Sequence, residues 1–207
     1  MVQEDTAIRL RQVAYRHLAL QLAGTIRHDG HGGVADDLDT LDGFADWLRL
    51  NADLLGDDVV SADAHTRDQV VELRRAVRSL FARAVRPGPP SSADAQRLLD
   101  PAVALGTLNA AAAVPRVPQL DWPEDGKPEL RHDLPPVEPA SRLVAALARA
   151  AIELLAGDTR EQLRACPAPR CVRYFVKEHP RQEWCKPSCG NRARVSRYYQ
   201  RQHESSG

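Results

Sequence analysis

Residues 166–189 read CPAPRCVRYFVKEHPRQEWCKPSC, and they contain all four cysteines of this 207-residue chain. The cysteines form two short pairs, Cys166-x4-Cys171 and Cys185-x3-Cys189, separated by 13 residues. Two short cysteine pairs joined by a loop of this length are the usual way to hold a soft, tetrahedral cation. The spacing therefore predicts one structural zinc ion with Cys166, Cys171, Cys185 and Cys189 as its thiolate ligands.

Disulfides are the main alternative use of these cysteines. The chain opens with MVQED, which has neither the basic nor the apolar region of a secretory signal, so we expect a cytoplasmic protein whose thiols stay reduced. A thioredoxin-like redox pair has two intervening residues, and neither pair here does. His179 in the intervening loop is a conceivable substitute ligand, but a closed structural site needs only four donors. These points favour zinc.

The composition is that of a globular protein, with 43% hydrophobic and 27% charged residues. No apolar run approaches the roughly 20 residues that a membrane-spanning helix needs, so we expect no membrane partner. Arginine accounts for 25 of the 28 basic residues, which is typical of a GC-rich bacterial genome.

The formal net charge of zero is unevenly distributed along the chain. Residues 166–207 hold nine basic and three acidic side chains, a net charge of +6, and the remaining residues therefore carry −6. Four thiolates around a divalent ion add −2, which leaves the end of the chain near +4. A basic segment attached to an acidic body is typical of a protein whose terminal part meets a polyanion.

Apolar residues recur every three or four positions before the cysteines and predict a mainly α body. We expect a helix over 7–27, a turn or mobile loop over 28–33, a helix over 38–55 capped by Asp39 or Thr40, and a long helix over 61–86. The two histidines of the 28–33 loop are more typical of a solvated loop than of a metal site. The arginines of the long helix are expected on its solvated face: Arg67, Arg74, Arg75, Arg78 and Arg83.

Proline and glycine positions predict the rest of the body. Ser91 or Ser92 can cap a helix running to Ala113, in which Pro101 implies either a kink or a new helix start. Alternating apolar residues on either side of the turn 123–126 predict a small β-hairpin over 117–134. A helix from Pro139 to its C-cap Gly157 is the expected central core helix.

The residues between the cysteine pairs predict a small hydrophobic shell around the metal. Val172, Tyr174, Phe175 and Val176 follow the first pair, and Trp184 precedes the second. Bulky side chains of this kind hold the shape of a small zinc module.

After Cys189 the chain is rich in helix formers, and Arg194, Arg197 and Arg201 fall three and four residues apart on one helix face. Arginine suits phosphate because its planar fork donates two parallel hydrogen bonds. Tyr198 and Tyr199 could add phosphate or base contacts. The alternative is that this basic helix docks on the acidic body of its own chain or on a partner protein.

Residues 164–194 resemble the CGNR zinc finger, through the four cysteines, Phe175, Trp184 and the tetrapeptide Cys189-Gly190-Asn191-Arg192. In proteins with this finger the preceding region is commonly an ABATE domain, described as a stress-induced transcription regulator. The helix, hairpin, helix order of residues 1–160 is similar to that domain. The loop 177–183 departs from the expected basic run because it carries two glutamates.

The resemblance implies a bacterial, DNA-binding transcription regulator with one structural zinc. We expect two parts, an ABATE-like helical domain over 1–160 and a CGNR-type zinc finger over 161–207. The first would sense a small-molecule ligand or form a homodimer, and the second would bind DNA. The alternative is a zinc-stabilised protein-interaction module without direct DNA binding. The residues predicted to contact nucleic acid are Arg192, Arg194, Arg197, Tyr198 and Arg201.

An enzyme is the least favoured class. The sequence has no Gly-x-Ser-x-Gly nucleophile motif, no phosphate-binding glycine loop and no His-Glu-x-x-His motif. A catalytic zinc ion keeps a position open for water, whereas four cysteines close the coordination sphere. We therefore predict no catalytic residues.

Overall fold

The structure of the protein, a computed structural model, describes residues 18–31, 33–58, 60–94, 96–115, 117–133 and 137–204. The helices are 18–23 (α1), Leu41–Leu50 (α2), Ala52–Leu55 (α3), Ala64–Ala84 (α4), Pro101–Ala112 (α5), Pro139–Ala156 (α6) and Pro187–Glu204 (α7). Short 3₁₀ turns follow at Gly56–Asp58 and Asp158–Gln162. Three antiparallel hairpins pair Ile26–His28 (β1) with Val34–Asp36 (β2), Val117–Asp121 (β3) with Glu129–Asp133 (β4), and Leu163–Ala165 (β5) with Tyr174–Val176 (β6). The predicted mainly α fold with a small hairpin and a terminal helix is confirmed.

Helices α4, α5 and α6 pack against one another and form the core of the body. Phe81 of α4 and Leu147 of α6 are fully buried at its centre, and the many buried alanines of α6 let the neighbouring helices approach closely. The prediction that the 139–156 segment is a central core helix is confirmed. None of the helices that the structure describes is long and apolar enough to cross a membrane.

The first predicted helix ends earlier than expected. Residues 18–23 are helical, residues 7–17 of the prediction lie outside the described part of the chain, and the backbone leaves the helix at Gly24. Residues 26–28 then form β1, because they pair with β2 across the turn that follows His28. Asp29 closes this turn by accepting hydrogen bonds from the amides of His31 and Gly33. The predicted turn is thus the tip of a hairpin.

The predicted caps at Thr40 and Gly157 are found at their helix ends. The Thr40 hydroxyl accepts from the amide of Gly43 at the start of α2, and Gly157 follows the last turn of α6. The predicted helix 38–55 is divided into α2 and α3 at Asn51, whose amide side chain donates to the Trp47 carbonyl. Asn51 itself has φ −111° and ψ 12°, outside helical geometry.

Two arginines of the long helix contradict the expected solvated face. Arg74 and Arg78 are only 3% and 4% exposed, and they pair with Asp36 and Asp94. The prediction failed because Arg74 and Arg78 lie beside the apolar stripe of α4, where carboxylates from distant segments reach them. Arg75 and Arg83 are exposed, as expected.

The helix predicted after Ser91 or Ser92 begins only at Pro101. Proline has no amide to donate and is favoured in the first helical turn, and Asp100 caps this start by accepting from the amides of Ala102 and Val103. The predicted cap at Ser91 is wrong, because the described residues that follow it form turns and not a helix. Its hydroxyl donates to the Val172 carbonyl and accepts from the amide of Ala93. Of the two readings of Pro101, the new helix start is confirmed.

The predicted β-hairpin over 117–134 is confirmed as β3 and β4, although Leu134 itself lies outside the described residues. Leu120 and Leu130 face each other across the two strands, and both are exposed, as is Trp122 beyond the end of β3. The hairpin therefore does not contribute these apolar side chains to the core.

Candidate metal centre and basic helix

The sulfur atoms of Cys166, Cys171, Cys185 and Cys189 all lie within 4.8 Å of one another. Cys171 Sγ and Cys189 Sγ are 3.7 and 3.6 Å from Cys185 Sγ. A Zn–S bond of about 2.3 Å in a tetrahedron requires sulfur atoms about 3.8 Å apart, which the two distances from Cys185 Sγ match. All four cysteines are free of disulfides, so the predicted ligand set is assembled in space.

The first two ligands are held by a tight turn at the end of a strand. Cys166 directly follows β5, and its amide donates to the carbonyl of Arg173. The chain then reverses so that the Cys171 amide donates to the Ala168 carbonyl, with Arg170 at φ 63° in the left-handed region. An arginine rarely adopts this conformation, and here the closure of the turn imposes it.

The second pair is set by the start of α7. This helix begins at Pro187, so Cys189 lies in its first turn, and the Cys189 amide donates to the Lys186 carbonyl. The amide of Cys185 points at Cys166 Sγ over 3.5 Å, which connects the two halves of the site. Helix α7 therefore starts from the metal site itself.

The electrostatics of the four sulfurs fit a divalent cation. The pKa of Cys166 is lowered because Cys171 and Cys185 donate to its sulfur and backbone amides point at it. The same contacts raise the pKa of Cys171 and of Cys185, since neighbouring thiolates disfavour further negative charge. Four sulfurs this close can all ionise only around a cation, and thiolates select a soft one such as zinc.

Each residue of the tetrapeptide 189–192 has a distinct contact. Cys189 is fully buried as a ligand, and Gly190 lies so close to Trp184 that an added Cβ would be 2.9 Å from the ring. The Asn191 side chain accepts from Arg194, and the Arg192 guanidinium donates to Cys189 Sγ over 3.1 Å. Arg192, predicted to contact nucleic acid, thus lies beside a thiolate and offsets its charge.

The expected hydrophobic shell is only partly built as predicted. Phe175 and Trp184 pack with the four cysteines in a small separate cluster. Tyr174 and Val176 instead pack into the main core of the body, where Tyr174 meets Phe81 edge-to-face with ring centroids 5.6 Å apart. Successive side chains of β6 point to opposite faces of the strand. Tyr174 and Val176 therefore face the main core, and Phe175 faces the metal cluster.

Val172 does not belong to the metal shell either, and its carbonyl anchors the finger to the body. This oxygen accepts hydrogen bonds from Arg78 Nη2 at 3.1 Å and from the Ser91 hydroxyl at 2.9 Å. Arg78 also forms a two-bond pair with Asp94, and Asp94 accepts from the Tyr174 hydroxyl at 2.7 Å. The buried network Arg78, Asp94, Ser91 and Tyr174 is called the clamp below.

Arg194, Arg197, Tyr198 and Arg201 are exposed on α7, as the helical spacing predicts. The hydrogen bonds of the three arginines stay within the helix, to Asn191 and to the carbonyls of Ala193 and Arg197. The Arg197 guanidinium also lies 5.9 Å from the centre of the Trp184 ring. The described structure leaves this face, called the basic face below, free of the acidic body.

Sequence reasoning missed four contributors to this region. Ser91 and Asp94 come from an irregular segment and carry no local signal, whereas Arg78 could have been recognised from its place beside an apolar stripe. Arg170 lies in the turn between the first two ligands and was not singled out. His179 is exposed outside the four-sulfur cluster and accepts from the Arg181 amide.

The fold and site define a mainly helical body followed by a small module with four cysteine metal ligands. The family model described as "Putative stress-induced transcription regulator", ABATE, matches residues 16–158, and the CGNR zinc finger model matches residues 162–202. The chain belongs to the ABATE family, since that match covers more than half of its length, and its finger binds one structural zinc ion. A search of the curated proteins finds no match.

Proposed function

We propose that the protein is a bacterial transcription regulator whose CGNR finger binds DNA through the basic face of α7. The helical body is the sensing or dimerisation part. The protein acts in the cytoplasm and is associated with the nucleoid when bound to DNA. The two family matches give the regulator class and the zinc site, and DNA binding is what we add to them.

The observation that carries the proposal is the basic face itself. Its three arginines project from one side of α7, and none has a carboxylate partner among the side chains that the structure describes. Guanidinium groups left unpaired at neutral pH are available for bidentate bonds to phosphate. Tyr198 lies among them and can add a hydroxyl contact or stack on a base.

The metal site holds this face in a fixed orientation. Cys189 fixes the first turn of α7, and the close approach of Gly190 to Trp184 places that ring beneath Arg197. A recognition element that is already ordered loses less conformational entropy on binding. The role of zinc is therefore to orient the helix, and a closed set of four thiolates gives no open position for catalysis.

Arg170 extends the basic surface beyond α7. It is exposed in the turn between Cys166 and Cys171, and it lines a groove beside α7 with Arg192, Ser196 and Tyr199. At about 100° per residue, the α7 positions of this groove fall on the opposite side of the helix from Arg194, Arg197 and Arg201. The groove is therefore a second basic surface, separate from the basic face.

Genome-wide binding of the tagged protein tests this function. The expected result is a set of enriched promoter sites that disappear in a Cys189→Ser variant and in an Arg194→Ala/Arg197→Ala/Arg201→Ala variant. The second variant keeps all zinc ligands, so it separates loss of the finger fold from loss of the DNA contact. Absence of enriched sites for the wild-type protein would contradict DNA binding and favour a zinc-stabilised protein-interaction module.

A further inference from the structure

A cleft of about 860 Å³ opens between α4, α5, α6 and the segment that leads into the finger. Its floor is apolar and comes from all three core helices: Leu80, Leu105, Leu108, Ile152 and Leu155. Leu80 and Leu108 are buried, while Leu105 is 46% exposed beside them. A cleft of this size is in the range that takes a drug-sized organic molecule.

The rim of this cleft is strongly basic. Four exposed arginines line it, together with a single carboxylate from Glu161: Arg83, Arg86, Arg160 and Arg164. Arg164 donates to the carbonyls of Glu161 and Leu163, and none of the four forms an ion pair among the described side chains. These five charged groups sum to +3, above an apolar floor.

We propose that this cleft binds an amphipathic organic anion, a monocarboxylate carried on an aromatic or medium-chain acyl body. The apolar body would cover the leucine and isoleucine side chains of the floor. The carboxylate would lie at the rim, where the planar fork of an arginine can donate two bonds to it. A neutral ligand would leave the arginines without a partner, and a small inorganic anion would leave the apolar floor uncovered.

The position of the cleft connects it to the metal site. Arg164 lies on β5 two residues before Cys166, and Val85, Gly88 and Arg164 line both this cleft and a neighbouring groove that reaches Cys166 and Cys171. A bound anion would therefore touch the strand that leads directly into the first zinc ligand. This inference goes beyond the proposed function, and its test needs no DNA.

The full-length, zinc-loaded protein can be tested with two fluorescent probes of the same apolar shape. 1-Anilinonaphthalene-8-sulfonate is anionic, and N-phenyl-1-naphthylamine is its uncharged counterpart. The expected result is saturable binding of one sulfonate per chain, at least about tenfold tighter than the uncharged probe, and its displacement by decanoate. Equal affinity for the two probes, or no displacement by decanoate, would overturn the proposal.

Variants place the binding in this cleft. Arg83→Ala/Arg160→Ala removes two rim charges and should weaken sulfonate binding about tenfold or more, while the uncharged probe changes little. Ala156→Trp fills the cleft without removing a charge and should abolish binding of both probes. The matched control is Arg75→Ala/Arg97→Ala, which removes two exposed arginines outside the cleft. Unchanged sulfonate affinity in folded variants of the first two kinds would refute the site.

Discussion

Arg78 on α4 donates a hydrogen bond to the carbonyl oxygen of Val172, the residue after the zinc ligand Cys171, over 3.1 Å. The Arg78 guanidinium is buried, and it lies 5.2 Å from the centre of the Tyr174 ring of the finger hairpin. One side chain thus connects the longest helix of the body with both the metal-binding turn and strand β6. The finger is therefore joined to the body by this buried polar network as well as by the continuous polypeptide backbone.

Replacement of Arg78 by alanine should destabilise the protein by about 3–5 kcal/mol, because Asp94 would keep a buried charge without its partner. Urea unfolding of the zinc-loaded protein measures this loss. The matched control is Arg75→Ala, which removes an exposed arginine from the same helix. It should change the free energy of unfolding by less than about 0.5 kcal/mol. Similar effects of the two substitutions would show that the clamp does not stabilise the fold.

Removal of zinc should release α7 and the second cysteine pair while leaving β5 and β6 on the body. Leu163 and Tyr174 belong to the main core, so this hairpin does not depend on metal binding for its packing. Hydrogen exchange with and without a chelator should show lost protection over 185–204 and retained protection at the paired amides of 163–165 and 174–176. Loss of protection over the whole finger would mean that zinc alone holds it together.

Gly190→Ala should destabilise the finger by about 1–3 kcal/mol, since the new Cβ would overlap Trp184, which packs beside the metal site. The measurement is zinc affinity by competition with a chromogenic chelator, together with thermal unfolding. Gly106→Ala is the control, because Gly106 lies within α5 with no atom in contact range, and alanine there should stabilise by about 0.5–1 kcal/mol. An unchanged zinc affinity in Gly190→Ala would contradict the proposed close contact.

Acid should weaken the contact between the first hairpin and α4. Burial opposes ionisation of Asp36, but hydrogen bonds from Arg74 and the Leu38 amide outweigh it and lower the pKa of Asp36. A carboxyl whose pKa is lower in the folded state stabilises the fold above its unfolded pKa, near 3.9, and that contribution is lost as the pH falls through the folded value. The difference in unfolding free energy between wild type and Asp36→Asn should therefore shrink between about pH 5 and pH 3. A constant difference over that range would contradict the assignment.

Local patterns were sufficient for most helices and for the metal ligands. The 3.6-residue spacing of Val70, Leu73 and Val77 predicted α4, and the spacing of four cysteines predicted a site whose sulfurs converge within 4.8 Å. Both signals depend on neighbours along the chain. Each is therefore readable without knowledge of the tertiary fold.

The clamp could not be predicted in the same way. Arg78 and Val172 are 94 residues apart, and the segment containing Ser91 and Asp94 has no regular structure. The charge of Arg74 and Arg78 indicated a solvated face, but carboxylates from distant segments, Asp36 and Asp94, pair with them. Only the packed fold brings these groups together, which is why the attachment of the finger to the body was missed.

The salt dependence of DNA binding tests the central claim, that the basic face of α7 contacts phosphates. Fluorescence anisotropy with a duplex of about 30 base pairs gives the slope of log affinity against log salt concentration. Arg194→Ala/Arg197→Ala/Arg201→Ala should make this slope shallower by close to one unit for each lost contact, while the charge-matched control Arg49→Ala/Arg75→Ala/Arg97→Ala in the body leaves it unchanged. Equal slopes for the wild type and the α7 variant, with zinc still bound, would contradict the account.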